Sequence, residues 1–535
     1  MFLSTDTNRQ ARFSRVPTIH HSRNAFSIAT SHKTTMQFDG LFPLYWKYIN
    51  PGDTLSITQS IMARLGTQVG TLYDDLYIDA HAWFVPHRLT QTNWARYQFN
   101  AQPAGPSQDN SSLTSPKLDL TGLTTGWTAK SMYDYAGRFG DVDVNLSSSD
   151  AHINNYLGRA INLTWNENYR DENLQNPVTV DLDDGPDDPA DYSTILKRGK
   201  RHDKFTSALT AQQKGTAVSI PLGTSAPVEV TRTYTGSGAD DRGNLQMLQS
   251  SGADPGHLRA ESPGGGSSWV SASIKGTADL ATATAATINT LRTSIAIQHL
   301  LEADARGGTR DVEAIQNRYG VTVPDFRLQR PEYLGGTTFT FDGHVVPQTS
   351  ETGTTPQGNL AQFSQSLSAF SINHSFVEHG VFFILVSARS NITYQQGLTR
   401  ELSYNTRYDW YQPEFANLGE VAIKNKEIYF QGTNAGADDD TFGYQEYGYE
   451  LRYEDNYISS EMRSSFATSK DYLHMADDYS TLPTLGSAWI ESQTPISRNL
   501  VVASGTADPI EISSIVKGKI ARTLPMFSIP GLMRL

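Results

Sequence analysis

The sequence predicts a mainly β protein, a sandwich or jelly roll with long loop insertions and a few helices, and three observations lead there. Strand-like text falls in two blocks, one in the first hundred residues and one in the last two fifths. In both blocks β-branched and aromatic residues cluster between glycine, asparagine, aspartate and proline, as strands require. The two blocks must pair across the region between them, and long-range pairing of this kind suits a sandwich or jelly roll better than an alternating βαβ fold.

In the first block, LYIDAHAWFVP alternates at Leu76, Ile78, Ala80, Ala82 and Phe84 as a strand with one buried face does, and Pro86 should end it. Asp53 to Leu65 is a second strand candidate, started by the turn dipeptide Pro51-Gly52. In the second block, GVFFILVSARSNITY, NKEIYFQG and YGYELRYEDNYI read as strands. Between Thr206 and Arg318 only Tyr234 and Trp269 are aromatic, where the chain's 10% would give about eleven. That stretch reads as loops and short hairpins, ordered by neighbouring copies or left mobile. From about Ala281 to Asp304 the pattern turns helical, with Ile288, Leu291, Ile295 and Leu300 near helical spacing and Gly307-Gly308 as its stop.

The resulting division is a basic arm (1–35), a first strand block (36–100), elaborated loops with an acidic stretch (101–205), a surface insertion (206–280), a helix (281–306), and a second strand block with a tail (307–535). Length alone, at 535 residues, suggests about three to four domains, but β folds absorb long insertions within one. No internal repeat at a fixed period argues for a solenoid or propeller.

The chain has no cysteine, which excludes disulfides, thiolate metal sites and thiol nucleophiles. Its longest strongly apolar run, Val381 to Val386, is far short of the ~18 residues of a membrane-spanning helix, and its first residues lack a signal-peptide stretch. A net charge of −13 argues against a protein that coats nucleic acid over its whole surface. The distribution is uneven. Residues 1–35 carry Arg9, Arg12, Arg15, Arg23 and Lys33 against Asp6 alone, and Lys517, Lys519, Arg522 and Arg534 follow the last acid, Glu511. Acids crowd Asp171 to Asp191, a run expected to be solvated. A protein with an acidic water-facing side and a basic side for phosphates has this pattern.

Catalytic and metal motifs fail on spacing. HSFVEH (His374 to His379) has three residues between its first His and Glu where the inverted zinc motif has two, so a strand with polar residues on one side is the reading preferred. DLDDGPDDPADYS lacks the order and closing Glu of a calcium loop. KRGKRHDK (Lys197 to Lys204) is read two ways, as a phosphate contact or as the partner of the acidic segment beside it. No catalytic, cofactor or metal residue is assigned.

Several segments are then recognisable together. ARGGTRDVEAIQNRYGVTVPDFRLQRPEYLGG (Ala305 to Gly336) closely resembles a segment of the major capsid protein of microviruses, small single-stranded-DNA bacteriophages, above all their gokushovirus branch. SHKTTMQFDGLFPLYWKYINPGDT, FVPHRLTQTNW, TPQGNL, FVEHGVFFILVSARSNITYQQGL, TRYDWYQPEFANLGE, NKEIYFQG, FGYQEYGYELRY and LPMFSIPGL agree in the same order. Departures lie mainly between about 100 and 280.

The resemblance implies a single eight-stranded antiparallel jelly roll, a small icosahedral shell of one chain per position around a circular single-stranded DNA, and an insertion raised as a protrusion at the three-fold axes. It also implies scaffolding and pilot proteins as partners, a host surface receptor, no membrane insertion, and assembly in the bacterial cytoplasm. On the inner surface the candidate nucleic-acid-binding residues are Arg9, Arg12, Arg15, Arg23 and Lys33, with Phe13 stacking on bases. An arm that ties subunits together through arginine–carboxylate contacts fits the same residues. The rival from another class is a glycan-binding β-sandwich that uses the tyrosines and acidic loops.

Overall fold

The computed structural model describes residues 22–99, 113–147, 151–218, 288–306, 329–341, 365–433, 435–501 and 507–527, with short pieces between 228 and 362. The chain divides into two units, Gln213–Val321 and the remainder.

The larger unit is built on two four-stranded antiparallel sheets. Its strands are β1 (Asn24–Met36), β2 (Phe42–Ile49), β3 (Thr54–Leu65), β4 (Leu76–Pro86), β5 (Glu332–Phe341), β6 (Gln365–Ser375), β7 (Gly380–Ser390) and β8 (Ile510–Arg522). The first sheet runs β1-β8-β3-β6 and the second β5-β4-β7-β2. Strand 1 thus pairs with 8, 2 with 7, 3 with 6 and 4 with 5, and everything between residues 87 and 331 is inserted at the tip of one long hairpin.

Between the sheets lies a core set by period-2 alternation. From the first sheet come Leu55, Ile57, Ile61, Ala63, Ile512, Val516 and Ile520, and from the second Ile78, Ala80, Phe84, Phe382, Ile384 and Val386. The second sheet is covered on its other face as well. Residues 113–205 lie over it, and Leu118, Trp127, Tyr133, Leu157, Ile161 and Trp165 pack on Trp83, Val85, Val381, Phe383 and Leu385. β7 is therefore buried along its whole length. β4, read from sequence as half-buried, is buried on both faces for the same reason.

The covering layer hangs on one arginine. Helix α1 (Tyr156–Asn168) carries Arg159, whose side chain is fully buried. It donates to Asp187 from Nε at 2.8 Å and from a terminal nitrogen at 2.5 Å, to the carbonyls of Thr90 and Asp183 at 2.7 and 2.8 Å, and to the Asp183 carboxylate at 3.2 Å. The acidic stretch was expected to be solvated; in part it is folded around this guanidinium, and Asp187 is 1% exposed. A lone buried guanidinium is costly, and a bidentate carboxylate is the partner that offsets it.

Where β4 ends, His87 is enclosed by Tyr156, Trp94 and Tyr48, at 4.1, 4.6 and 5.7 Å between ring centroids. Its Nδ1 is buried without a hydrogen-bond partner. Burial, with a smaller push from His379, lowers its pKa to about 3. Burial, with Arg198 second, lowers His81 to about 4. Both rings fold neutral, so the unfolded chain binds more protons once the pH drops below about 6.5. Stability is complete above that value and falls as the pH drops from about 6.5 toward about 4, with a slope approaching ~2.7 kcal/mol per pH unit for two protons. Urea midpoints measured from pH 7.5 to 4.5 should show this loss, and His87→Phe, which suits the aromatic cage, should halve the slope. An unchanged slope in that variant would assign the acid sensitivity elsewhere.

Three sequence expectations are corrected. NKEIYFQG is a short helix at Asn425–Ile428, because Glu427 Oε1 accepts from the Lys424 backbone N–H at 3.0 Å and caps it. YGYELRYEDNYI holds a 3-10 turn at Tyr449–Leu451; the strand precedes it at Thr441–Glu446 and pairs with Glu420–Lys424. HSFVEH ends β6 with His374 and Ser375, and its other four residues are the turn into β7. In addition, β1 begins at Asn24, within the segment expected as an arm.

The second unit, taken by itself, contains an antiparallel pair, Val228–Arg232 with Ile274–Ala278, and a small sheet of Leu245–Gln246, Arg259–Ala260 and Val270–Ser271. Helix α2 (Ile288–Arg306) follows. Its apolar residues Ile288, Leu291, Ile295, Ile297 and Leu300 are all exposed in the single chain.

Candidate nucleic-acid interface

The two sheets differ in what covers them. In the second, the inner strands β4 and β7 are buried on both faces, whereas the outer face of the first is bare. Along β1 burial alternates strictly, and the outward residues are Ala25, Ser27, Ala29, Ser31, Lys33 and Thr35. Register sets their neighbours. One row across the sheet reads Ser27, Lys519, Ser56, Asn373, and the next Ala29, Lys517, Thr58, Ser371. Thr58 and Ser371 share a hydroxyl hydrogen bond of 2.8 Å, as do Thr54 and Ser375. At one end Met62 and Leu367 add an apolar patch, and Arg64 stands 3.9 Å from Glu511.

Glu511 is the one acid among the outward residues of these four strands within the described residues, and at the end of β1 Asp508 accepts from Thr35 Oγ1 at 2.6 Å. Lys33, Lys517 and Lys519 are exposed and have no carboxylate partner among those residues. Side chains two apart on a strand lie about 7 Å apart on the same side, so Lys517 and Lys519 form a short basic rail between rows of hydroxyls and methyls. Short side chains leave the sheet flat and let an extended chain approach its surface. Ammonium groups neutralise phosphates without reading bases, so the surface suits a single strand regardless of sequence.

The residues singled out from sequence separate here. Lys33 stands on the bare face. Arg23 is engaged within its own chain, donating to the Gly52 carbonyl at 2.6 Å and to Thr54 Oγ1 at 2.8 Å. Arg9, Arg12 and Arg15 lie outside the described residues. Lys517 and Lys519 had been noted only as part of a basic end; their strand register makes them neighbours of Lys33's strand.

The other charged segments are taken up by structure. In KRGKRHDK, Arg198 pairs with Asp79 at 2.5 Å, Lys200 with Asp477 at 2.7 Å and Lys204 with Asp455 at 2.6 Å, while Arg201 lies 4.1 Å over the Tyr77 ring. The partners come from distant strands and loops, not from the acidic segment beside it. Burial alone would raise Asp79, but Arg198, Thr338 and Arg389 override it and hold its pKa at about 2. In HSFVEH, Glu378 accepts from Arg88 at 2.6 Å and His374 faces Glu332 at 3.5 Å, so the three side chains do not converge.

Two antiparallel sheets closed on a shared core, one buried under a loop layer and one presenting a bare lysine-bearing face, define a structural β-sandwich whose business is contact. Comparison with known proteins gives the family. A family model described as capsid protein (F protein) matches residues 14–532. Capsid protein VP1 of Bdellovibrio phage phiMH2K is 40% identical over 511 residues, 92% of each chain. VP1 of Chlamydia phage 1 is 33% identical over 98% of each chain, and VP1 of Spiroplasma virus 4 is 31% identical over 94% of each. The chain belongs to this capsid protein family of microviruses and is a structural major capsid protein of a phage virion. The rival reading as a glycan-binding sandwich is not favoured.

Proposed function

We propose that copies of this chain close into a small icosahedral shell around a circular single-stranded DNA, with the bare face of the first sheet turned inward against the strand. The observation that carries this reading is the contrast between the sheets: one with its inner strands β4 and β7 buried on both sides, the other left open with Lys33, Lys517 and Lys519 free of carboxylate partners among the described residues. The pairing of strands 1:8, 2:7, 3:6 and 4:5 supports an eight-stranded jelly roll, a long hairpin rolled on itself. The arm residues Arg9, Arg12 and Arg15 extend the same basic surface in this reading.

Contacts between copies draw on exposed apolar groups elsewhere. Leu402, Tyr408, Trp410, Leu418, Leu451 and Tyr457 are 59–83% exposed in the single chain, an aromatic-rich surface of the sort that marks interfaces. Residues 206–280 form the exterior protrusion at the three-fold axes, and the exposed stripe of α2 is buried where neighbouring copies meet. Scaffolding and pilot proteins act during assembly in the host cytoplasm, and a host receptor meets the exterior.

Electron microscopy of the chain expressed with its phage's assembly proteins tests the reading. Closed particles of uniform small diameter are expected, and Trp410→Ala with Tyr457→Ala should reduce their yield about tenfold while leaving the subunit folded. Discrete small oligomers under the same conditions would overturn the shell.

A further inference from the structure

Beside the bare face, between the edge strands β1 and β2, lies a cavity of about 230 Å³ whose walls include His32, Trp46, Arg138 and Ser514. Thr30, His32, Ser514 and Val516 line it from the inner side of the first sheet and Ser31, an outward residue of β1, also lines it, so it lies at the open edge of the sandwich next to the basic face. From this geometry we propose that the cavity seats one unpaired nucleobase of the DNA strand that crosses the sheet. The proposal rests on the reading of that face as the DNA-facing one.

Three features of the walls point to a base. Arg138 holds its guanidinium 5.8 Å from the Trp46 ring centroid and has no carboxylate partner among the described residues. Its backbone sits at φ 66°, after Gly137 at φ 59°, a left-handed conformation that a residue with a Cβ adopts only under constraint. A bent backbone thus places a cation and an aromatic plane at the mouth of the cavity, the two surfaces on which unpaired bases stack.

The second feature is the histidine. His32 Nδ1 lies 2.9 Å from the Leu44 carbonyl, which can only accept, so Nδ1 carries the proton. In the neutral ring Nε2 is then an acceptor. It faces Gly137, where the missing side chain keeps the backbone from crowding it: even a Cβ there would stand 3.9 Å away, at ordinary contact distance.

The third is Ser514. Its Oγ accepts from Gln59 Nε2 at 2.5 Å, which frees the hydroxyl hydrogen to donate. Gln59 is fully buried behind it, and its Oε1 has no partner among the described residues. An acceptor and a donor side by side match the paired donor and acceptor edge of a base. Lys47 stands near Arg138 and Arg522; Arg522 is engaged with Asp53 at 2.9 Å, which leaves Lys47 and Arg138 as the cations for the flanking phosphates.

The test uses the full-length chain, a fluorescent mixed-sequence single strand, and an abasic strand of the same length and charge. The base-bearing strand should bind about tenfold tighter than the abasic one. Arg138→Gly tolerates the left-handed backbone and keeps the fold, as an unchanged urea midpoint verifies. It should erase most of the base preference while weakening abasic binding only by the loss of one cation, about fourfold. A strand carrying 5-bromouracil should cross-link on illumination to the 42–49 peptide, which contains Trp46.

Equal affinity for the two strands overturns the cavity proposal. If Lys517→Gln with Lys519→Gln still weakens both strands, the sheet-face reading survives that result. If neither strand binds in a salt-dependent way, both fail.

Discussion

Replacing Asp187 with alanine is expected to destabilise the protein by about 3–5 kcal/mol, because it strands a buried guanidinium that has no route to water. Arg159 gives two of its hydrogen bonds to this carboxylate, and Asp187 also accepts from Asn155 Nδ2 at 2.7 Å. Neighbouring Asp183 is the control. Its side chain is 77% exposed, and Asp183→Ala should cost under about 1 kcal/mol. The loss should concentrate in residues 113–205, so hydrogen exchange in Asp187→Ala should rise first in α1 and over the covered face of the second sheet. Equal costs for the two substitutions would mean that the layer is held by its apolar contacts alone.

The second large effect is on DNA. Reversing three charges together, Lys33→Glu, Lys517→Glu and Lys519→Glu, should lower affinity for a single strand by roughly tenfold to a hundredfold near physiological salt. The slope of log affinity against log salt should drop by about 2, at ~0.7 per phosphate released. All three side chains are exposed on the sheet, so the urea midpoint should move little. Particles assembled from this variant should hold less nuclease-protected DNA. A salt slope that does not change would remove the sheet face from the list of DNA contacts.

Much of the apolar framework was legible from the chain. β3 alternates Leu55, Ile57, Ile61, Ala63 and Leu65 against short polar residues, and β7 is a continuous apolar run, so both stand out. Several strands escaped: β1, β6 and β8 of the bare sheet, and the edge strands β2 and β5 of the other. β1 and β6 show mostly serine, threonine and alanine outward and few fully buried residues inward, Met36 and Ile372 beside half-buried Phe26, Ile28 and Phe370, which resembles loop text. β8 read as a basic tail because Lys517 and Lys519 masked the alternation of Ile512, Val516 and Ile520. The property that fits the sheet for contact is the one that hides it as a strand.

Ion pairing was hidden for a different reason. Asp79, Asp455, Asp477 and Glu491 come to the Lys197–Lys204 segment from opposite ends of the chain, and no local pattern announces them. Arg159 likewise sits within an ordinary helix more than twenty residues from its aspartates. Segments such as NKEIYFQG had strand composition, but a single cap from Glu427 decided for a helical turn.

The flatness of the first sheet has a consequence for what the shell can tell apart. On the proposed reading, ammonium groups and rotatable hydroxyls hold a strand by its phosphates without demanding a base sequence, so this face holds one genome as well as another of equal charge. On that reading, selection of the cargo belongs to a step before enclosure, and the coding content of the packaged strand can change without a compensating change on this face.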